Sequence, residues 1–159
     1  MSRRRESVLK MLTLDDVEGF EGLNLSHHDV FKGTDLLMYD RRPLITNLEV
    51  KSIISPTLFH VATWFAAHKI MRHMLEGEQA RNHINEVTEE RYTPIHLAAM
   101  TGDFVAIDLM CNFRPDPMYR DKIGRTALHF AVTTDIRAVV ILCKLGHDSL
   151  FMKDDMDFT

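Results

Sequence analysis

The chain has 159 residues, 45% of them hydrophobic and 26% charged, with a formal net charge of −4; this is enough apolar content for one packed domain, and it excludes a strongly basic nucleic-acid binder. Two cysteines, Cys111 and Cys143, define no disulfide framework and fit a reducing, intracellular setting. No run approaches the ~18 apolar residues of a membrane span, and the opening MSRRRESVLKMLTLDDVEGF has a charged head without an apolar core behind it, so it does not read as a secretory signal.

Residues 1–51 carry no repeat. RESVLKMLTLDDVEGF sets Val8, Leu12 and, more loosely, Val17 at helical spacing and predicts a short helix. The stretch DVFKGTDLLMYDRRPLITNLEVKSII, with Pro43 and its apolar runs, reads as a cap over the first of the repeats that begin near residue 52. SRRR has the form of a short nuclear-import or nucleic-acid patch, resting on three arginines alone. Asn24-Leu25-Ser26 has the form of a glycosylation acceptor without a secretory context.

From residue 52 the chain repeats itself. Thr57 and His60 in TLFHVATWFAAH return 36 residues later as Thr93 and His96 in TPIHLAAMTGD. They return again, 33 residues further on, as Thr126 and His129 in TALHFAVTTDI. The longer first interval places its extra residues in EGEQARNHIN, where an insertion costs little. In the same frame Thr88 and Arg91 match Asp121 and Gly124. Ala106-Ile107 then falls on Val139-Val140, Leu109-Met110 on Leu142-Cys143, and Asp108 on Ile141. Thr159 lies 33 residues after Thr126.

Each unit has a physical reading. Thr93 can cap a helix by accepting a first-turn amide, and Pro94 suits the first helical position. Ile95, Ala98 and Ala99 form an apolar side on which a neighbouring helix can sit closely. Gly102 permits the turn into a second helix, whose buried stripe is read as Val105, Ile107, Leu109 and Met110. RPDP ends that helix, and MYRDKIGR forms an extended loop turning at Ile123-Gly124. A helix pair with a projecting loop cannot bury its apolar side alone and must stack.

A 33-residue period with Thr-Pro-x-His-x-Ala resembles the ankyrin-repeat family. Units 88–120 and 121–153 are closely similar to it. Unit 52–87 departs from it, with Leu58 in place of Pro94 and Ala66 in place of Gly102. The resemblance implies an all-α solenoid of about three repeats with an atypical N-terminal cap, and repeat segments 57–86, 93–115 and 126–146 that superpose as helical hairpins. DPMYRDKIGRTALHFA, Asp116–Ala131, is further similar to the D-P-x-x-R-D-x-x-G-x-T-x-L-H-x-A run of the IκB family, cytoplasmic inhibitors of Rel/NF-κB transcription factors. The chain has neither that family's D-S-G-x-x-S degron nor its acidic PEST tail, a layout that resembles the short viral ankyrins of polydnaviruses. That resemblance implies a non-enzymatic inhibitor that masks a Rel factor in the host cytoplasm or nucleus and escapes signal-induced degradation. The alternative is an ankyrin adaptor, or part of a larger scaffold, with an unrelated partner.

His60, His96 and His129 recur once per repeat, too far apart to share one metal, and read as scaffold. His27-His28 and His68/His73 lack metal-ligand spacing. Cys111 and Cys143 read as small buried hydrophobes. Glu89-Glu90 and Asp154-Asp155 read as solvated loop charges. No phosphate loop, G-x-S-x-G or HExxH occurs, and no cofactor, metal, membrane or direct nucleic-acid partner is expected. The groove positions of the repeat class fall on Trp64, Phe65, Met100, Thr101, Asp103, Thr133, Thr134 and Ile136, with loop residues Glu89, Glu90, Tyr92, Lys122, Ile123 and Arg125. These are the expected partner-binding residues. Trp64 and Phe65 read either as interface anchors or as residues covered by the N-terminal segment. Ile141, at the position of polar Asp108, suggests a covered apolar spot.

Overall fold

The computed structural model describes residues 3–23, 31–39, 50–77, 80–146, 151 and 153–155. The N-terminal segment forms α1 (Arg3–Leu14) and α2 (Val17–Glu21), followed by a single 3-10 turn, Leu36–Tyr39. Then come the helix pairs α3 (Leu58–Trp64) and α4 (His68–Glu76), α6 (Pro94–Thr101) and α7 (Phe104–Cys111), and α8 (Ala127–Ala131) and α9 (Ile136–Leu145). A one-turn helix, α5 (Ala80–His83), lies in the longer first interval. Among the described residues there is no strand, only an isolated antiparallel bridge between Asp35 and Ile54. His27-His28, Asn24–Ser26, Pro43 and Thr159 lie outside the described residues.

The three pairs stack in two rows. α6 packs between α3 and α8, and α7 packs between α4 and α9. The inner helices are enclosed: every residue of α3, and Pro94–Met100 of α6, is buried. α1 and α2 add Val8, Leu12 and Phe20 to the same core, and α2 packs on α4. The helix expected around Val8, Leu12 and Val17 is therefore broken after Leu14, where Asp15 takes a positive φ of 52°. Its carboxylate accepts hydrogen bonds from the Lys69 and Ile70 amides, each at 3.0 Å. Ala67, the residue that caps the start of α4, has no side chain able to do so, and Asp15 supplies from a distance the acceptor that Asp103 and Asp135 supply locally to α7 and α9.

The turn between the helices of a pair fixes the register. The amides of Ala67, Asp103 and Asp135 donate to the carbonyls of Ala62, Ala98 and Ala131 at 3.0, 2.9 and 3.1 Å. Four residues separate the bonded positions in the first two pairs and three in the last, so the third turn is one residue shorter. This corrects the single-frame reading beyond Thr134. Ala106, Ile107 and Met110 match Ala138, Val139 and Leu142, and Cys111 matches Cys143. Asp108 matches Val140, so the apolar residue at the polar outer position is Val140 rather than Ile141. Within α7 the buried residues are Ala106, Ile107 and Met110, while Val105 is exposed.

The longer turns need a left-handed residue, Gly102 at φ +67° and Ala66 at φ +53°. A β-carbon in that region costs about 1–2 kcal/mol per residue. Ala66→Gly should therefore raise the denaturation midpoint, corresponding to about 1 kcal/mol, and Gly102→Ala should lower it by a similar amount. Chemical unfolding of the two variants beside the parent chain measures both.

Candidate functional site

The recurring Thr-x-x-His places an imidazole at the third residue of each inner helix. The Thr57 amide donates to His60 Nδ1 at 3.2 Å and the Thr57 hydroxyl lies 2.7 Å from it. Because an amide can only donate, Nδ1 is an acceptor and the ring proton of the neutral imidazole sits on Nε2. His60 Nε2 then donates to the Tyr92 carbonyl in the next repeat at 2.9 Å. His96 repeats the pattern with Thr93 and with the Arg125 carbonyl at 3.2 Å, and Thr126 with His129 closes the same box. The threonine hydroxyl thus serves chiefly the imidazole, not only the helix amide expected of it. Burial lowers the His60 and His96 pKa values to about 4, with the neighbouring histidine pushing the same way.

The loop tips form a second row of joints. The Glu89 amide donates to the Ile54 carbonyl, the Lys122 amide to the Glu90 carbonyl and the Asp155 amide to the Ile123 carbonyl. Ser55, Arg91 and Gly124 occupy equivalent tip positions with φ of 56°, 67° and 82°. At Gly124 a β-carbon would also lie 2.5 Å from Asp155 Oδ1, so glycine answers both the backbone conformation and the approach of the following tip.

Several expected binding residues are absorbed by this scaffold. Trp64 is 2% exposed and Met100 wholly buried, because the first residue after the alanine pair faces into the stack. Tyr92 and Arg125 are buried between the second and third repeats. The Arg125 Nε donates to Asp121 at 2.7 Å, its guanidinium donates to the Tyr92 hydroxyl at 3.0 Å, and it lies 4.4 Å over the Phe130 ring. Burial pushes the Tyr92 phenol pKa up. Asp103, also buried, caps α7 through the Ala106 amide and accepts from His68 Nε2 at 2.8 Å. Glu90, half-buried, spends one carboxylate oxygen on the Ser52 hydroxyl and the other on the Ile54 amide. Glu89 is exposed and accepts from the Ser55 hydroxyl at 2.7 Å. Glu90 clamps the chain's own residues 52–54, which corrects its reading as a solvated charge, while Glu89 lies in solvent as expected. The pairing of each glutamate with a serine one repeat earlier left no local signal in the sequence.

Phe65, Thr101 and Thr134 are half-buried, and the Thr134 hydroxyl donates to the Ala99 carbonyl at 2.7 Å. Lys122, Ile123, Thr133 and Ile136 face solvent, with Ile123 41% exposed. Asp154, expected in solvent, is buried, and Asp155 is exposed. Cys111 and Cys143 are half-buried, and burial raises the Cys111 thiol to about 11, where it stays protonated and weakly nucleophilic. Among the described residues no three histidine, cysteine or acidic side chains are grouped to hold a metal, and no helix is long and apolar enough to cross a membrane.

The buried imidazoles make stability depend on pH. Below 6.5 the unfolded chain takes up protons that folded His60 and His96 refuse until about 4, so stability is complete above pH 6.5 and falls as pH drops toward 4. His96→Asn should cost about 2 kcal/mol at neutral pH through its lost hydrogen bonds, and should flatten this acid-side decline. Urea unfolding across that pH range reads both effects.

A search of the curated proteins gives no match to this chain. The family model for ankyrin repeats, in three copies, matches residues 59–151, more than half of the sequence. Together with the stacked helix pairs and their histidine joints, this shows that the chain belongs to the ankyrin-repeat family.

Proposed function

We propose that this ankyrin-repeat protein, a protein–protein interaction module by its family, acts as an IκB-like inhibitor that binds a Rel/NF-κB transcription factor and masks its import signal. The observation that carries the reading is the Asp116–Ala131 run, whose exposed members Lys122 and Ile123 form a loop tip on a rigid stack. Inhibition is by occlusion: the stack lies along the dimerisation and nuclear-localisation region of the partner. Ile123 supplies an apolar anchor at the tip. Glu89 is the exposed acid suited to a basic import segment, since Glu90 and Asp103 are committed within the fold. The work is done in the cytoplasm or nucleus of a host cell, and the absence of a D-S-G-x-x-S degron from these residues suits an inhibitor that outlasts signalling.

Lys122→Glu combined with Ile123→Asp alters the tip without entering the core and is the probe of choice; Trp64→Ala would open the core instead. The parent protein should retain a Rel factor in a pull-down and hold it in the cytoplasm, and the double variant should lose at least about tenfold in affinity while its unfolding curve stays unchanged. Rel import that proceeds normally in cells expressing the parent protein refutes the proposal.

A further inference from the structure

The run Arg4-Arg5-Glu6-Ser7-Val8, in the first turns of α1, sets arginines three and two residues ahead of a serine and an apolar residue directly after it. A basophilic serine/threonine kinase reads that spacing. In an extended substrate both guanidiniums reach carboxylates along the enzyme's peptide groove, and the apolar side chain fills a pocket beside the acceptor. No other serine or threonine in the sequence has arginine at both positions. Ser7 is half-buried, and its hydroxyl donates to the Arg3 carbonyl at 3.1 Å in a bond open to solvent. Arg3, Arg4, Glu6 and Lys10 are exposed, and Arg5 donates to the Lys32 carbonyl at a long 3.4 Å. A kinase needs these turns unwound. From Arg3 to Lys10 only Val8 is buried, whereas the firmer attachments of α1 lie further along, with Leu12 in the core and Asp15 on the Lys69 and Ile70 amides. The start of the helix can therefore peel and reclose while its far end stays anchored.

We propose that Ser7 is a phosphorylation site for a kinase of this basophilic class, and that its phosphate masks the basic patch from which the enzyme recognised it. In the transfer, the Ser7 oxygen bonds to the γ-phosphorus of ATP as the bond from that phosphorus to the β,γ-bridging oxygen breaks. ADP leaves, and the hydroxyl proton passes to the kinase's base. Once α1 recloses, the new group lies one helical turn from Arg3 and Arg4 on one side and from Lys10 on the other. Its charge of about −1.5 to −2 offsets these cations, opposed by the neighbouring Glu6. The arginines of SRRR then attract an anionic surface less strongly. This control acts on α1 and not on the loop tip proposed to meet a Rel factor, so either can hold without the other.

The test uses the full 159-residue chain, Mg-ATP and the catalytic subunit of cyclic-AMP-dependent protein kinase as the probe. Peptide mass mapping should find Ser7 phosphorylated in nearly every chain, and Ser7→Ala should remove that phosphate. Arg4→Ala and Arg5→Ala should each lower kcat/KM for the transfer at least about tenfold. His96→Asn, which weakens the stack in its second repeat, should leave the rate unchanged, because the opening is local. Phosphorus NMR titration of the phosphorylated chain should place the second ionisation below the ~6 of an isolated phosphoserine, and Arg3→Ala combined with Lys10→Ala should return it. Circular dichroism and urea unfolding establish that each variant is folded. A folded chain that takes no phosphate on Ser7 overturns the proposal. So does a rate that rises with the lost stability of His96→Asn, or a phosphate whose ionisation is unshifted.

Discussion

Every joint of the stack depends on a neutral imidazole with both ring nitrogens in use. Nδ1 accepts from the threonine that starts its own helix, and Nε2 donates to a carbonyl in the following repeat. One side chain therefore fixes a helix entry and the position of the next unit together. The ring is wholly buried at His60 and His96, where a charge would be costly and a missing hydrogen bond would strand a carbonyl. The alanines beside it let the inner helices lie close, and the row of tip-to-tip amide bonds follows once that spacing is set.

The same enclosure moves recognition outward. A repeat stack uses its inner helices for cohesion, and here it also takes in Trp64, Tyr92 and Met100. Even charge is drawn inside: Arg125 is matched by Asp121 and Tyr92, and Glu90 is consumed by a segment of its own chain. What is left for a partner is a narrow set of tip and turn residues on a scaffold whose geometry they do not control.

The helix pairs, their order and the structural role of the histidines were legible in the sequence because the period constrains many positions at once. Individual exposures were not. The residue after the alanine pair looks free in a single repeat, and only the stacking of neighbours buries Trp64 and Met100. The shortened third turn was hidden because Thr126 and His129 hold their places while the shift begins after Ala131; the burial of Ala138 and Leu142 reveals it. Glu90 resembled a surface charge because its serine partner lies 38 residues earlier.

The cap that Asp15 lends to α4 spans a sequence separation of 54 residues. Closing so long a loop carries an entropic cost that neighbouring hairpins do not meet. During synthesis α1 leaves the ribosome before α4, so the site that Asp15 caps does not exist until α4 has emerged. The segment around Asp15 therefore settles only after α4 is available, and the opening turn of α4 waits for it.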